Sequence, residues 1–390
     1  MITTTCEMDR VDAATFLELL PSLRAHSRPV IVTGLVDGDG LAAASSIDGA
    51  RVLLGGERVT YSMRYIDIQA ERVRRHMRGA PMPREGVARS GTFAEYLELA
   101  ASDSRSIITE QPASPQLLTG VDLAPLGVRS VVSGTTSPFD EHRPDIAYAP
   151  MFVAGPGNAS DLHTDLDGRD VLLYQGFGRK RVCVLPPSAG PLLHPVAGFS
   201  TVRLAEMTDA ERVAFLDYAG GLEAIMAPGE TVFMPAFVWH HLDYLELSLS
   251  VGFRFGGIED PLARELARAV HIDRHVQRII AGTRDPALAP ACRDAARAVL
   301  TAADRRYPSA RAKYRAVRAA AAAAAPVGTD EHGRRYLGGL IEAEDFLDGA
   351  LAGFYSRSPQ GPSGYNRLWH AAELARDVVR RRARRVAHWA

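Results

Sequence analysis

The triplet His163-Thr164-Asp165 sets an imidazole and a carboxylate two positions apart. On a strand, residues i and i+2 project from one face, so the two groups would converge on one point. A third ligand has to come from elsewhere. His240 lies 77 positions on (240 − 163 = 77), in Gly229-Glu-Thr-Val-Phe-Met-Pro-Ala-Phe-Val-Trp-His-His. Two imidazoles and one carboxylate are the donor set that holds a non-haem Fe(II) and leaves positions open for a bidentate 2-oxo acid and dioxygen. The triplet alone is a weak signal, because a buried His is often only hydrogen-bonded. The surrounding residues decide its weight.

Those ligands need a scaffold, and the bulk numbers allow one. The chain has 390 residues, 46% hydrophobic and 23% charged, as expected of a soluble protein of two or three domains. Its net charge of −1 leaves no overall footprint for nucleic acid or an anionic membrane. Cys6, Cys183 and Cys292 are odd in number and form no CxxC pair, which argues against a disulfide framework or a structural zinc site. The first residues lack the basic and apolar regions of a signal peptide, and no apolar run approaches the roughly 20 residues of a membrane span. The expected setting is the reducing cytoplasm. Lys180 and Lys313 are the only lysines in a chain that otherwise uses Arg.

Three regions follow one another. Asp12-Ala-Ala-Thr-Phe-Leu-Glu-Leu-Leu reads as a helix, Pro29-Val-Ile-Val-Thr-Gly as a strand, Thr92-Phe-Ala-Glu-Tyr-Leu as a helix and Ser106-Ile-Ile-Thr as a strand. Between 146 and 257, short apolar runs at 147–154, 171–175, 181–185, 231–234 and 246–255 alternate with turn residues, the pattern of a sandwich or barrel. One helix, Met207 to Asp217 with Thr208 or Asp209 as cap, interrupts it. From about 258 the pattern is helical, over 260–270, 290–306, 309–325, 340–355 and 366–390, with an Arg cluster from Arg380 to Arg385. Such a terminal cluster is usually a solvated helix face.

Five blocks then carry a resemblance. They are Gly155-Pro-Gly-Asn-Ala-Ser-Asp-Leu-His163-Thr-Asp165, Asp170-Val-Leu-Leu-Tyr-Gln-Gly-Phe-Gly-Arg-Lys180, Val184-Leu-Pro-Pro187, Pro228 to His240, and Ser250-Val-Gly-Phe-Arg254. In this order they resemble the JmjC-type cupin oxygenases that use Fe(II) and 2-oxoglutarate. They are nearest to the bacterial ribosomal oxygenases and the asparaginyl hydroxylase of hypoxia-inducible factor. The resemblance implies a mainly β catalytic core, a double-stranded β-helix (cupin or jelly-roll barrel). N-terminal α/β elements would flank it, and an all-α region would follow. The implied division is a catalytic domain over 1–257, with its barrel over 146–257, and a helical domain over 258–390 that pairs two copies into a homodimer, the alternative being a domain packed on its own barrel.

By the same resemblance, His163, Asp165 and His240 bind Fe(II), which reacts with 2-oxoglutarate and O2. Lys180 pairs with the distal carboxylate of 2-oxoglutarate, Ser160 donates to that carboxylate, and His241 is either structural or supports the ligand before it. The family often places a Tyr contact to 2-oxoglutarate on the strand matched by Ser106-Ile-Ile-Thr-Glu-Gln. No Tyr stands there, and Thr109 and Tyr148 are the hydroxyls that could substitute. Trp239 and Phe237 read as core. The implied activity is hydroxylation of an unactivated C–H bond on a protein or peptide side chain. A natural-product or amino-acid hydroxylase of the same chemistry is an alternative reading, as is a non-catalytic cupin or one with a redox-silent metal. Lys180 would have no evident purpose in the last two.

Overall fold

The structure is a computed structural model. It describes most of residues 6–324; residues 1–5, 64–88, 104–105, 136–142 and 325–390, with scattered positions between 161 and 309, lie outside the described residues. The helices expected over 340–355 and 366–390, and the Arg380 to Arg385 cluster, fall outside them.

In chain order the strands are β1 (Arg10–Asp12), β2 (Val30–Thr33), β3 (Arg58–Met63), β4 (Arg89–Thr92), β5 (Ser106–Pro112), β6 (Ser130–Ser133), β7 (Ile146–Ala154), β8 (Asp170–Phe177), β9 (Lys180–Leu185), β10 (Leu222–Met226), β11 (Glu230–Met234), β12 (Trp239–Tyr244) and β13 (Ser248–Phe255). The helices are α1 (Ala13–Ala25), α2 (Asp39–Ala43), α3 (Ile47–Leu54), α4 (Phe93–Ser102), α5 (Asp209–Ala219), α6 (Arg274–Gly282), α7 (Ala289–Asp304) and α8 (Ala310–Ala324).

These elements form two compact units. The first is built from residues 1–160, 167–184 and 222–257. Its large sheet has ten strands in the order β1-β2-β11-β8-β13-β7-β5-β3-β4, with β6 paired to β7; β10-β9-β12 form a second sheet. Most pairings are antiparallel, the exceptions being β1 with β2 and β6 with β7. This is the cupin-type β core expected from the sequence.

Burial on both faces explains the continuous apolar runs. Every residue of β8 and β13 is buried. On the outer face, Leu172, Tyr174, Leu249, Val251, Phe253 and Phe255 pack with Phe16 and Leu20 of α1, Leu54 of α3 and Phe93, Tyr96 and Leu97 of α4. On the inner face, Ile31, Val171, Leu173, Val232 and Met234 of the large sheet meet Val182, Val184, Ala224 and Met226 of the small one. A period of two thus sends alternate side chains to two cores.

Local signals set the helix starts. Asp12 is the N-cap of α1, its carboxylate accepting from Thr15 N at 2.8 Å. Thr92 and Glu95 form a capping box on α4, and Thr208 and Glu211 another on α5. The second unit contains α5 to α8. Cys292, Ala295, Ala296, Val299 and Ala303 make the buried face of α7, which packs against α6 and α8.

Asp170, 1% exposed, ties three parts of the first unit together. It opens β8, its Oδ1 accepts from Ala236 N at 2.8 Å, and its Oδ2 accepts from Arg24 Nε at 2.7 Å. Replacing it would remove the carboxylate that accepts from both a backbone N–H and a cation. We expect Asp170→Ala to lose about 2–4 kcal/mol of stability, read as a lower urea midpoint at unchanged slope. An unchanged midpoint would show that these bonds contribute nothing net.

Candidate metal centre

The approach of the ligands starts at β12. Gly157 N donates to Tyr244 O, Tyr244 N to Asn158 O, and Ser160 N to Leu242 O, at 2.9, 2.9 and 2.8 Å. This ladder runs antiparallel along β12. It brings the chain to Ser160, opposite Leu242 and three residues before His163.

His163 and Asp165 themselves lie outside any strand; His163 is only a bridge residue. The strand expected for the triplet is therefore corrected to an irregular segment between β7 and β8. Its flanks are rich in turn formers (Gly155, Pro156, Gly157, Asp167, Gly168), and Arg169 N donates to the Asp167 carboxylate at 3.2 Å.

The two ligands meet all the same. His163 Nε2 lies 3.8 Å from Asp165 Oδ1, and one ligand atom from each of His163, Asp165 and His240 falls within 4.8 Å of the others. With metal–ligand bonds of about 2.1 Å, donors on one octahedral face sit about 3 Å apart. Small inward side-chain rotations would close this set on an ion. His240 Nδ1 lies 3.4 Å from Val238 O. Donation there leaves Nε2 as the coordinating atom, the usual way an outer hydrogen bond selects the tautomer. The donor set therefore fits a first-row divalent ion. Just upstream, Phe237 holds φ +63° and is buried with Trp239, so both belong to the core, as read from the sequence.

His241 points to the opposite face from His240. It is 1% exposed, and its Nε2 lies 2.9 Å from Asp243 Oδ1, whose other oxygen is 3.6 Å from Arg181 Nη1.

Lys180 opens β9, on the face shared with Val182 and Val184, and so points into the inner core. It is 1% exposed. Its ammonium stands 4.0 Å from the centroid of the Tyr244 ring, and among the described residues no carboxylate pairs with it. Burial pushes its pKa well below the ordinary 10.5. The neighbouring Tyr244 phenol is pushed upward, also by burial. Tyr244 was missed in the sequence. The signal was available, since His240, Leu242 and Tyr244 share one strand face at i, i+2 and i+4.

Ser160 Oγ accepts from Leu242 N at 2.8 Å, which locks the segment to β12 and leaves the hydroxyl proton to donate. Thr109 is exposed in the bulged stretch of β5. Tyr148 lies opposite Arg254, six residues along β7 from Ala154, under the Arg169 guanidinium at 5.1 Å. Ala154 packs with Tyr244, so Tyr148 stands about 20 Å of strand from the Lys180 end. Neither hydroxyl is placed to replace the absent Tyr. At the Tyr148 end, Arg254 pairs with Glu110 at 2.7 Å, and Asp167 lies 3.5 Å from Arg169 and 3.9 Å from Arg254.

The sequence profile of the cupin-like domain family matches residues 17–257. The chain belongs to the cupin-like domain family. The match runs from within α1 to just past β13, so it takes in every strand of the large sheet except β1, and it contains every candidate ligand named above. This cupin-like family includes JmjC-type 2-oxoglutarate oxygenases. Among the described residues, no helix is long and apolar enough to cross a membrane.

The buried ammonium carries a testable cost. The unfolded chain keeps its Lys180 proton up to about pH 10.4, whereas the folded protein releases it at lower pH. Between those values the unfolded state binds more protons, so stability rises with pH. We expect Lys180→Met to be more stable than the parent by about 1–4 kcal/mol at neutral pH. The gap should narrow toward pH 10 in urea titrations. A variant less stable at pH 7 would mean the ammonium is compensated.

Proposed function

We propose that this chain is an Fe(II)- and 2-oxoglutarate-dependent oxygenase that hydroxylates an unactivated C–H bond on a protein or peptide side chain. The observation that carries the proposal is the pairing of two features: a two-His, one-carboxylate cluster, and a buried cation, Lys180, with no carboxylate partner among the described residues, resting on the ring of Tyr244, which shares a strand face with His240. A redox-silent or purely structural cupin would have no use for that cation. A diacid co-substrate has a distal carboxylate that needs one, because a desolvated carboxylate is stable only when paired.

When bound, iron with 2-oxoglutarate and dioxygen supplies the oxidising power for C–H hydroxylation, with succinate and carbon dioxide as co-products. His163, Asp165 and His240 would hold the ion. His240 keeps its tautomer through Val238 O, and Ser160 keeps its segment against β12 while its free proton can reach a co-substrate oxygen. Lys180 neutralises and orients the distal carboxylate, with the Tyr244 ring spreading its charge. The apolar inner residues Val182, Val184, Leu173 and Met226 exclude water, which strengthens that ion pair. The protein side-chain substrate class rests on the likeness of Asp170 to Lys180 and of Ser250 to Arg254 to the ribosomal oxygenases.

The test is direct. Purified protein with Fe(II), ascorbate and 2-oxoglutarate should form succinate, read by mass spectrometry, above the level of His163→Ala and Lys180→Ala variants. Uncoupled turnover without a prime substrate is slow, so the comparison with the variants is decisive. No succinate, together with no binding of 2-oxoglutarate to the metal-loaded protein, would sink the proposal.

A further inference from the structure

The inner end of the first unit holds a second polar group that the proposed chemistry has not yet used. Along β13, Leu249, Val251, Phe253 and Phe255 all enter the outer core. Ser248, Ser250, Gly252 and Arg254 therefore face inward. Ser250 is satisfied, donating to Gln175 Oε1 at 2.7 Å. Gln175 Nε2 is spent in turn on the carbonyls of Phe177 and Gly178, at 2.8 and 2.9 Å. Ser248 is different. It is fully buried, and among the described residues its Oγ has no hydrogen-bond partner.

Its position adds to the case. Ser248 pairs with Ala154 across the sheet, and Ala154 clusters with Ile107 and Tyr244. Tyr244 is the ring against which the Lys180 ammonium rests. The turn leading into β9 presses on the same serine. A Cβ at Gly178, whose φ is +69°, would come 2.6 Å from Ser248 Cβ and 2.2 Å from Leu247 O. Only glycine allows this approach, and it sets the start of β9 beside Ser248. A buried hydroxyl without a partner is unfavourable unless a ligand completes it.

We propose that Ser248 is a specificity-determining residue of the co-substrate site: its hydroxyl donates to the distal carboxylate that Lys180 neutralises, standing where no Tyr is available on β5. The inference rests on the 2-oxoglutarate reading above. It adds a neutral donor beside the charged one at the inner end, which selects a 2-oxo diacid over a 2-oxo monoacid of the same length.

The experiment measures anaerobic binding of 2-oxoglutarate and of 2-oxopentanoate, which lacks the distal carboxylate, to the Fe(II)-loaded full chain. The readout is the visible charge-transfer band, with calorimetry as a check. Loss of one hydrogen bond to a charged group should weaken 2-oxoglutarate about tenfold in Ser248→Ala, leave 2-oxopentanoate unchanged, and leave the melting temperature without ligand equal or higher. Ser248→Thr, which keeps the hydroxyl, should recover the diacid preference. Unchanged diacid affinity in Ser248→Ala, or equal weakening of both acids, would overturn the assignment. In either case a wild-type protein that still binds 2-oxoglutarate in a Lys180-dependent way keeps the oxygenase reading intact. A wild-type protein that binds no 2-oxoglutarate would remove both.

Discussion

An ammonium placed in an apolar interior without a carboxylate costs free energy that folding must offset elsewhere. Among the described residues Lys180 is such a group, and the architecture around it makes the cost sustainable. It stands at the first position of a strand, beside an aromatic ring and a serine, with the large sheet closing one side of the inner core and the small sheet the other. Apolar walls that make the isolated charge expensive also make its pairing with an incoming anion strong. Under the proposed function, stability is given up at the place where affinity is needed, a common trade at binding sites.

The candidate metal ligands obey a different constraint. They come from an irregular segment and from a strand far along the chain, so their meeting depends on how those two are held. The hydrogen bonds from Gly157 to Ser160 along β12 fix one approach. Asp170 fixes another, because the carboxylate that starts β8 also grips Ala236, four residues before His240. One buried side chain thus sits between the end of the segment carrying Asp165 and the turn leading into His240.

Much of this was legible in the residues. The runs that became β7, β8, β9, β11 and β13 are long and apolar because both their faces are covered, and the Thr208 cap is written as a capping box. The ligands and Lys180 stood out by type and order. Other features were hidden by their chemistry. The segment around His163 looks strand-like by the i, i+2 rule, but its glycines and its Asp turn keep it irregular. Strands β1, β3, β4 and β10 are short or rich in polar residues, and pairing partners distant in sequence define them. Ser248 looks like any strand serine. Only the satisfied state of Ser250 and Gln175 beside it shows that nothing is left to satisfy it. Tyr148 seemed a plausible stand-in for a missing phenol until strand register put it at the far end of β7.

The pairing of β2 with β11 joins residues 30–33 to residues 230–233. An N-terminal strand thus waits for a partner almost two hundred residues downstream (230 − 33 = 197). At ribosomal rates of about 5–20 residues per second, that wait is roughly 10–40 s. Until then Val30, Ile31 and Val32, all buried in the finished sheet, belong to an apolar strand whose one neighbour already synthesised is the three-residue β1. The nascent chain is therefore a natural client for holding chaperones over that interval, and the cluster of His163, Asp165 and His240 assembles later still, because His240 emerges after β2 and β11 can pair.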